Sequence, residues 1–104
     1  MKKKKKQALF IRKLVWKGDA RLYRCEPPMP GYDGTLHDYI VVSAVAVGAF
    51  DETYIFPADE DGKVADFAEM DGSFRGDKDH ERAIRDAGYE PGVCSLSVLK
   101  ELAI

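Results

Sequence analysis

Through its first two thirds the chain carries hydrophobic residues in short runs or in alternation with polar ones, the period of β-structure. Ala8 to Trp16 and Ala20 to Cys25 are rich in β-forming residues and flank Lys17-Gly18-Asp19, in which Gly18-Asp19 is a two-residue hairpin signal. With that loop, Val15 opposes Leu22, Leu14 opposes Tyr23, Trp16 opposes Arg21 and Arg12 opposes Cys25, and the even-numbered side is the expected core side. The other side sets Lys13 across from Arg24, a like-charge pair that is unfavourable unless solvent or an anion relieves it.

Pro27, Pro28, Pro30, Gly31 and Gly34 predict a loop to about His37, because prolines remove ladder donors and glycines permit turns. Tyr39 to Val47 is apolar on both alternating sets, which predicts a central strand covered on both faces. A short strand from Thr53 to Phe56 is expected to stop at Pro57. The turn Ala58-Asp59-Glu60-Asp61-Gly62 then leads into a second hairpin arm, Lys63 to Phe67. Gly72, Ser73 and Gly76 mark a further loop.

The period then lengthens. Asp77 can cap a helix from Lys78 to Ala87 that places His80, Ala83, Ile84 and Ala87 on one face and pairs Glu81 with Arg85 at i,i+4. Gly88 ends it. Pro91-Gly92 breaks the chain again, and the alternation of Cys94, Leu96 and Val98 favours a strand from Val93 to about Leu99 over the helical turn that Leu99, Leu102 and Ala103 would allow. The sum is an α+β fold, an antiparallel sheet of four or five strands with one helix packed on it.

Composition agrees with one domain. The 104 residues are 45% hydrophobic, enough for a single core without a disulfide or metal staple. We assign residues 1–7 to a disordered basic tail and residues 8–104 to the domain. Net charge is -2, yet residues 1–25 hold ten basic residues against one acid, and residues 26–104 hold six against seventeen. A basic arm on an acidic body suggests an anionic partner for the arm, although a run such as Lys2 to Lys6 is also an ordinary solvated tail. The apolar stretch Ala8 to Ile11 is cut by Arg12 and Lys13 and lacks a signal cleavage site, and Tyr39 to Val47 is half the length of a membrane helix. A cytoplasmic protein with Cys25 and Cys94 reduced is expected, with no membrane partner.

Most chemical signatures fail on spacing. With Gly62 at the sixth position of a calcium loop, Pro57 and Ala68 fall on the first and twelfth, where ligands are essential. Cys25, His37, His80 and Cys94 suit zinc by type, but none of the short paired spacings of structural zinc is present. No nucleophile motif or glycine-rich phosphate loop occurs; Cys25 reads as a buried small hydrophobe, His80 as a packing or capping residue and His37 as an exposed loop residue. The expectation is a protein with no catalytic activity, cofactor or metal. The remaining constellation is Lys13, Lys17, Arg21 and Arg24 interleaved with Trp16 and Tyr23, the residue types that single-stranded nucleic acid binding requires. Aromatics on strands are more often core than platform. The acidic residues Asp59, Glu60 and Asp61, and Asp51-Glu52, could instead pair with the basic hairpin of the same or another copy, so a homo-oligomer is compatible with the pattern.

The stretch Glu52-Thr-Tyr-Ile-Phe-Pro-Ala-Asp-Glu-Asp-Gly62, with Gly72-Ser-Phe-Arg-Gly76, Asp79-His-Glu-Arg-Ala83 and Ala87-Gly-Tyr89, resembles a family of small accessory proteins encoded by mycobacteriophages and related actinobacterial phages. The likeness extends over about residues 22–90, taking in Glu26-Pro27-Pro28 and Tyr39-Ile-Val-Val-Ser-Ala44. That family carries no assigned activity. The resemblance implies a phage product in the bacterial cytoplasm that acts by binding a host protein; a nucleic-acid-binding module using the hairpin and lysine tail is the alternative.

Overall fold

The computed structural model describes residues 5–65 and 67–93. Six strands and one helix follow in the order β1 (Gln7–Leu14), β2 (Asp19–Pro30), β3 (Leu36–Val47), β4 (Phe50–Ala58), β5 (Phe74–Arg75), α1 (His80–Asp86) and β6 (Glu90–Val93). They form one sheet in the order β5-β4-β3-β2-β1-β6. The first five strands are an antiparallel meander, and β6 pairs parallel to β1, Gln7 to Phe10 lying beside Glu90 to Val93. The sheet therefore has six strands and is mixed, against the four or five antiparallel strands expected. The sixth strand was hidden because Pro91-Gly92 reads as a breaker, whereas an edge strand tolerates both residues. The first strand begins at Gln7 rather than Ala8, and the Lys6 carbonyl already accepts the Glu90 amide. The strand proposed beyond Val93 lies outside the described residues.

The crossover from β5 to β6 carries the chain from one sheet edge to the other, and α1 lies across one face on the way. Under the helix, Tyr23, Cys25, Ile40, Val42, Ile55, Met70, Ala83, Ile84 and Tyr89 form the main core. A smaller cluster of Ala20, Leu22, Val41 and Ala58 lies on the opposite face, flanked by partly buried Ile11, Leu14, Trp16, Tyr39 and Val64. No helix of the described residues covers that second face, called here the open face. No helix among them is long and apolar enough to cross a membrane.

The first hairpin departs from expectation in loop and register. Leu14 pairs with Ala20 and Phe10 with Tyr23, a bulge falls between Phe10 and Arg12, and the loop is Val15-Trp16-Lys17-Gly18. An extra residue in one strand switches the side-chain alternation. Ala8 and Phe10 thus face the helix-side core, while Ile11 and Leu14 face the open side, and the even-numbered residues do not share a face. Gly18 has φ +61°, and a Cβ there would stand 2.3 Å from the Ala44 carbonyl oxygen, so only glycine lets this loop close onto β3. The buried Ser43 hydroxyl donates to the Lys17 carbonyl and fastens the loop from below.

Three further boundaries move. β2 runs on through the prolines to Pro30, with its irregularity between Arg24 and Met29, so the expected loop shrinks to the turn between β2 and β3 and His37 becomes a strand residue opposite Met29. β4 is longer than Thr53 to Phe56, starting at Phe50 and including Pro57, while the second hairpin arm is only a single bridge between Ala58 and Val64. The helix cap is Asp79, not Asp77: Asp79 is extended and its carboxylate accepts the Arg82 amide. Thr53 decides this. Its buried hydroxyl donates to the Asp77 carbonyl and accepts from the Asp79 amide, holding both residues in extended chain beside β4. The i,i+4 ion pair is Arg82 with Asp86 rather than Glu81 with Arg85.

Candidate functional site

The four basic residues expected to act together are divided between the two faces. Lys13 pairs with Arg21, not Arg24, on the helix side. Arg21 is tied to Asp19 at 3.0 Å, and this hydrogen bond holds the Asp19 carboxyl below the usual carboxylate range. The Asp19 carbonyl lies 2.6 Å from Nε2 of buried His80; a carbonyl can only accept, which places the ring proton on that nitrogen. Lys13 and Arg21 also border a depression with Phe10, Tyr23 and Glu81, where burial pushes the Tyr23 phenol above its ordinary value. Arg24 pairs with Leu9 and Tyr39 and is bound to Glu26. It lines a groove of about 750 Å³ with Lys5, Gln7, Asp38 and Tyr39, where charges of both signs meet.

Lys17 stands apart from all three. It belongs to the loop fastened over β3, and its ammonium lies 5.8 Å from the Trp16 ring and 5.6 Å from the Phe67 ring. Trp16 and Phe67 are nearly parallel, at 19° with centroids 6.2 Å apart. Phe56 meets both edge-on, at 5.6 Å and 6.1 Å, and Tyr54 stacks beside Phe56 at 5.8 Å. Four rings thus form one cluster on the open face, around a small cavity of about 180 Å³ floored by Ser43 and Val45. Phe67 is 64% exposed, Val47 50% and Phe50 69%, so apolar surface continues from the rings to the end of the β3–β4 hairpin.

Beyond the Tyr54 ring the charges are paired. Glu52 follows Tyr54 along the same side of β4 and opposes Val45. The residue is only 8% exposed, and its Oε2 has no hydrogen-bond partner. Its other oxygen is 3.6 Å from Arg75, which also reaches Glu69 at 3.2 Å and covers the Tyr54 ring at 5.8 Å.

The acidic turn serves the fold as well as the surface. The Asp59 carboxylate accepts the Asp61 and Lys63 amides, and the Asp61 carbonyl accepts from Arg12. Contact between the basic hairpin and the acidic turn is therefore made within one molecule, through Arg12 rather than through the four candidate cations. Cys25 is buried beneath the sheet, where desolvation, with a smaller contribution from Asp38, pushes its thiol up to about 12. It is a protonated thiol at neutral pH, without the thiolate that nucleophilic or metal chemistry needs. Cys94 lies outside the described residues, and among them no three His, Cys, Asp or Glu side chains come together at metal-binding distances.

Sequence reasoning named Trp16 and Lys17 but missed Tyr54, Phe56 and Phe67 as their neighbours. The available signal was the Tyr54/Phe56 alternation in a strand whose partner β3 is apolar on both faces. Comparison with protein-family models, with curated proteins and with solved structures returns no match.

Proposed function

We propose that this chain is a non-catalytic binding protein that docks a partner protein on the open face of its sheet. The observation that carries the reading is the four-ring cluster of Trp16, Tyr54, Phe56 and Phe67, in which Phe67 is exposed, Trp16 and Tyr54 are half-buried and Phe56 is buried, continued by exposed Val47 and Phe50 on the face that no helix of the described residues covers. Contiguous apolar surface of this kind is rare on a soluble domain without a partner, and aromatic residues dominate the centres of protein interfaces. The protonated, buried Cys25 and the structural engagement of His80 support a role without catalysis. The resemblance to phage accessory proteins makes the partner a protein of the bacterial host and the cytoplasm its site of action.

The division of the cations argues against the nucleic-acid alternative. Lys13 and Arg21 are on the side opposite the rings, Arg24 is bound to Glu26, and Arg75 is bound to Glu52 and Glu69. An acidic body then opposes phosphate. The test is affinity capture from a mycobacterial lysate with the wild-type chain and Phe67→Lys, followed by reconstitution with the purified captured protein. A defined complex lost in Phe67→Lys supports the proposal. A complex indifferent to that substitution refutes the assignment of the open face. Tight DNA binding at physiological salt that survives removal of Lys2 to Lys6 would replace the reading with the nucleic-acid one.

A further inference from the structure

The chemistry of the open face specifies what the partner presents to it. An aromatic ring carries its negative potential on its face, so a cation above the ring is attracted and an anion repelled. Both ends of the four-ring cluster already hold a cation from this chain: Lys17 over Trp16 and Phe67, and Arg75 over Tyr54. The two are not equivalent. Arg75 is fixed by Glu52 and Glu69, whereas the ammonium of Lys17 has its closest described interactions with the rings alone. Beyond Tyr54, the largely buried Glu52 pairs with Arg75 through one carboxylate oxygen, so the charge at that end of the cluster is already neutralised within the chain.

We propose that the ring cluster is a receptor for a basic side chain, lysine or arginine, from the partner protein, and that Lys17 occupies it as an internal stand-in until the partner displaces it. The inference rests on the docking reading above and adds the chemical class of the contact. A basic partner segment meets the ring faces that Lys17 now covers, on a chain whose residues 26–104 hold seventeen acids against six basic residues; an acidic segment or a nucleic acid gains nothing from a ring face. Lys17 sits in a four-residue loop whose backbone is pinned by Ser43, so its side chain can leave the rings while the loop stays in place.

The experiment uses the full chain and the fluorescence of Trp16, the sole tryptophan, which is itself part of the receptor. The probes are an acetylated hexa-arginine peptide, a hexa-glutamate peptide and a ten-nucleotide oligothymidine, titrated at about 150 mM salt to screen long-range attraction. Expected is a saturable change in Trp16 emission with hexa-arginine only. Lys17→Ala should tighten that binding about two- to fivefold, the equivalent of one exposed cation–π contact removed from competition. Lys13→Ala, which removes the same charge from the opposite face, should leave the affinity unchanged. Phe67→Ala, at an exposed ring, should weaken it at least fivefold without lowering the melting temperature. Equal tightening by Lys13→Ala and Lys17→Ala, no effect of Lys17→Ala, or no response to hexa-arginine overturns the proposal. Oligothymidine binding that Lys17→Ala weakens overturns it in favour of nucleic acid. A captured partner lost in Phe67→Lys, combined with a silent hexa-arginine titration, sinks this inference and leaves the docking surface standing; a partner bound equally by Phe67→Lys removes the surface itself.

Discussion

Ile84→Ala tests whether α1 is held by the sheet. Ile84 is fully buried among Val42, Ile55, Met70 and Tyr89, and the helix spans only seven residues, too few to be stable in water without tertiary contacts. Of its residues only His80, Ala83 and Ile84 are buried, and Ile84 is the large apolar one. Truncation to alanine removes three carbons, about 2.4 kcal/mol at about 0.8 kcal/mol each. A residual void of about 40 Å³ at about 24 cal/mol per Å³ adds about 1 kcal/mol. The higher helix propensity of alanine returns about 0.4 kcal/mol. The expected loss is therefore about 3 kcal/mol, or a fall in Tm of about 12–24 °C for a domain of this size. Urea denaturation followed by far-ultraviolet dichroism and by Trp16 fluorescence measures it, because the first reports backbone structure including α1 and the second reports the open face alone. Coincident transitions shifted by about 3 kcal/mol at unchanged slope confirm a helix integral to the core. A loss below about 1 kcal/mol would refute the packing argument, and a helix signal that melts first would show that α1 docks as a separate unit.

Thr53→Val keeps shape but removes the hydroxyl that serves both Asp77 and Asp79, and should cost about 1–2 kcal/mol, with faster hydrogen exchange in the first turn of α1 than in β3. Gly72 has φ +102°, and a Cβ there would stand 2.4 Å from the Ala83 carbonyl oxygen inside the helix, so Gly72→Ala should lose about 3 kcal/mol or more, whereas Gly48→Ala, with open space around it, should lose about 1 kcal/mol in the same thermal assay. The Cys25 thiol has a folded-state value raised from 9.0 to about 12, so its contribution is fully present below pH 9 and is lost as pH rises from there toward 12. Wild-type stability should then fall by up to about 1.4 kcal/mol per pH unit above 9 relative to Cys25→Ala, measured by urea denaturation under reducing conditions; parallel pH profiles for the two proteins would refute the burial argument.

The parts of the fold legible in the sequence were those where pattern and burial coincide. Tyr39 to Val47 is a central strand because β3 has β2 and β4 on its two sides and packs Ile40 and Val42 under the helix and Val41 on the open face. The helix was visible from Ala83, Ile84 and the glycine after it. Register was not legible, because a bulge at Ile11 is a choice made by packing on both faces at once and leaves no mark in local composition. That one residue separates Tyr23 from Trp16 and dissolves the expected platform. The cap moved two residues for a similar reason: Asp77 and Asp79 are equally good caps in isolation, and Thr53, twenty-six positions from Asp79, selects between them. The ring cluster draws Trp16, Tyr54, Phe56 and Phe67 from three separate segments, so its existence depends on strand order, which periodicity does not encode.

The placement of β6 beside β1 has a consequence for synthesis. A ribosome delivers the meander β1 to β5 before the segment that closes it, so the nascent chain has a complete antiparallel ladder with one whole edge bare and the helix-side core, including Tyr23, Ile40 and Ile55, facing water. Only when α1 and β6 emerge is that face covered and the β1 edge paired. During this interval the protein has two open faces and an unpaired edge, a state prone to pairing with other nascent chains. A chain truncated after Arg75, with the meander complete but α1 and β6 missing, should therefore aggregate more readily than one that extends through Val93.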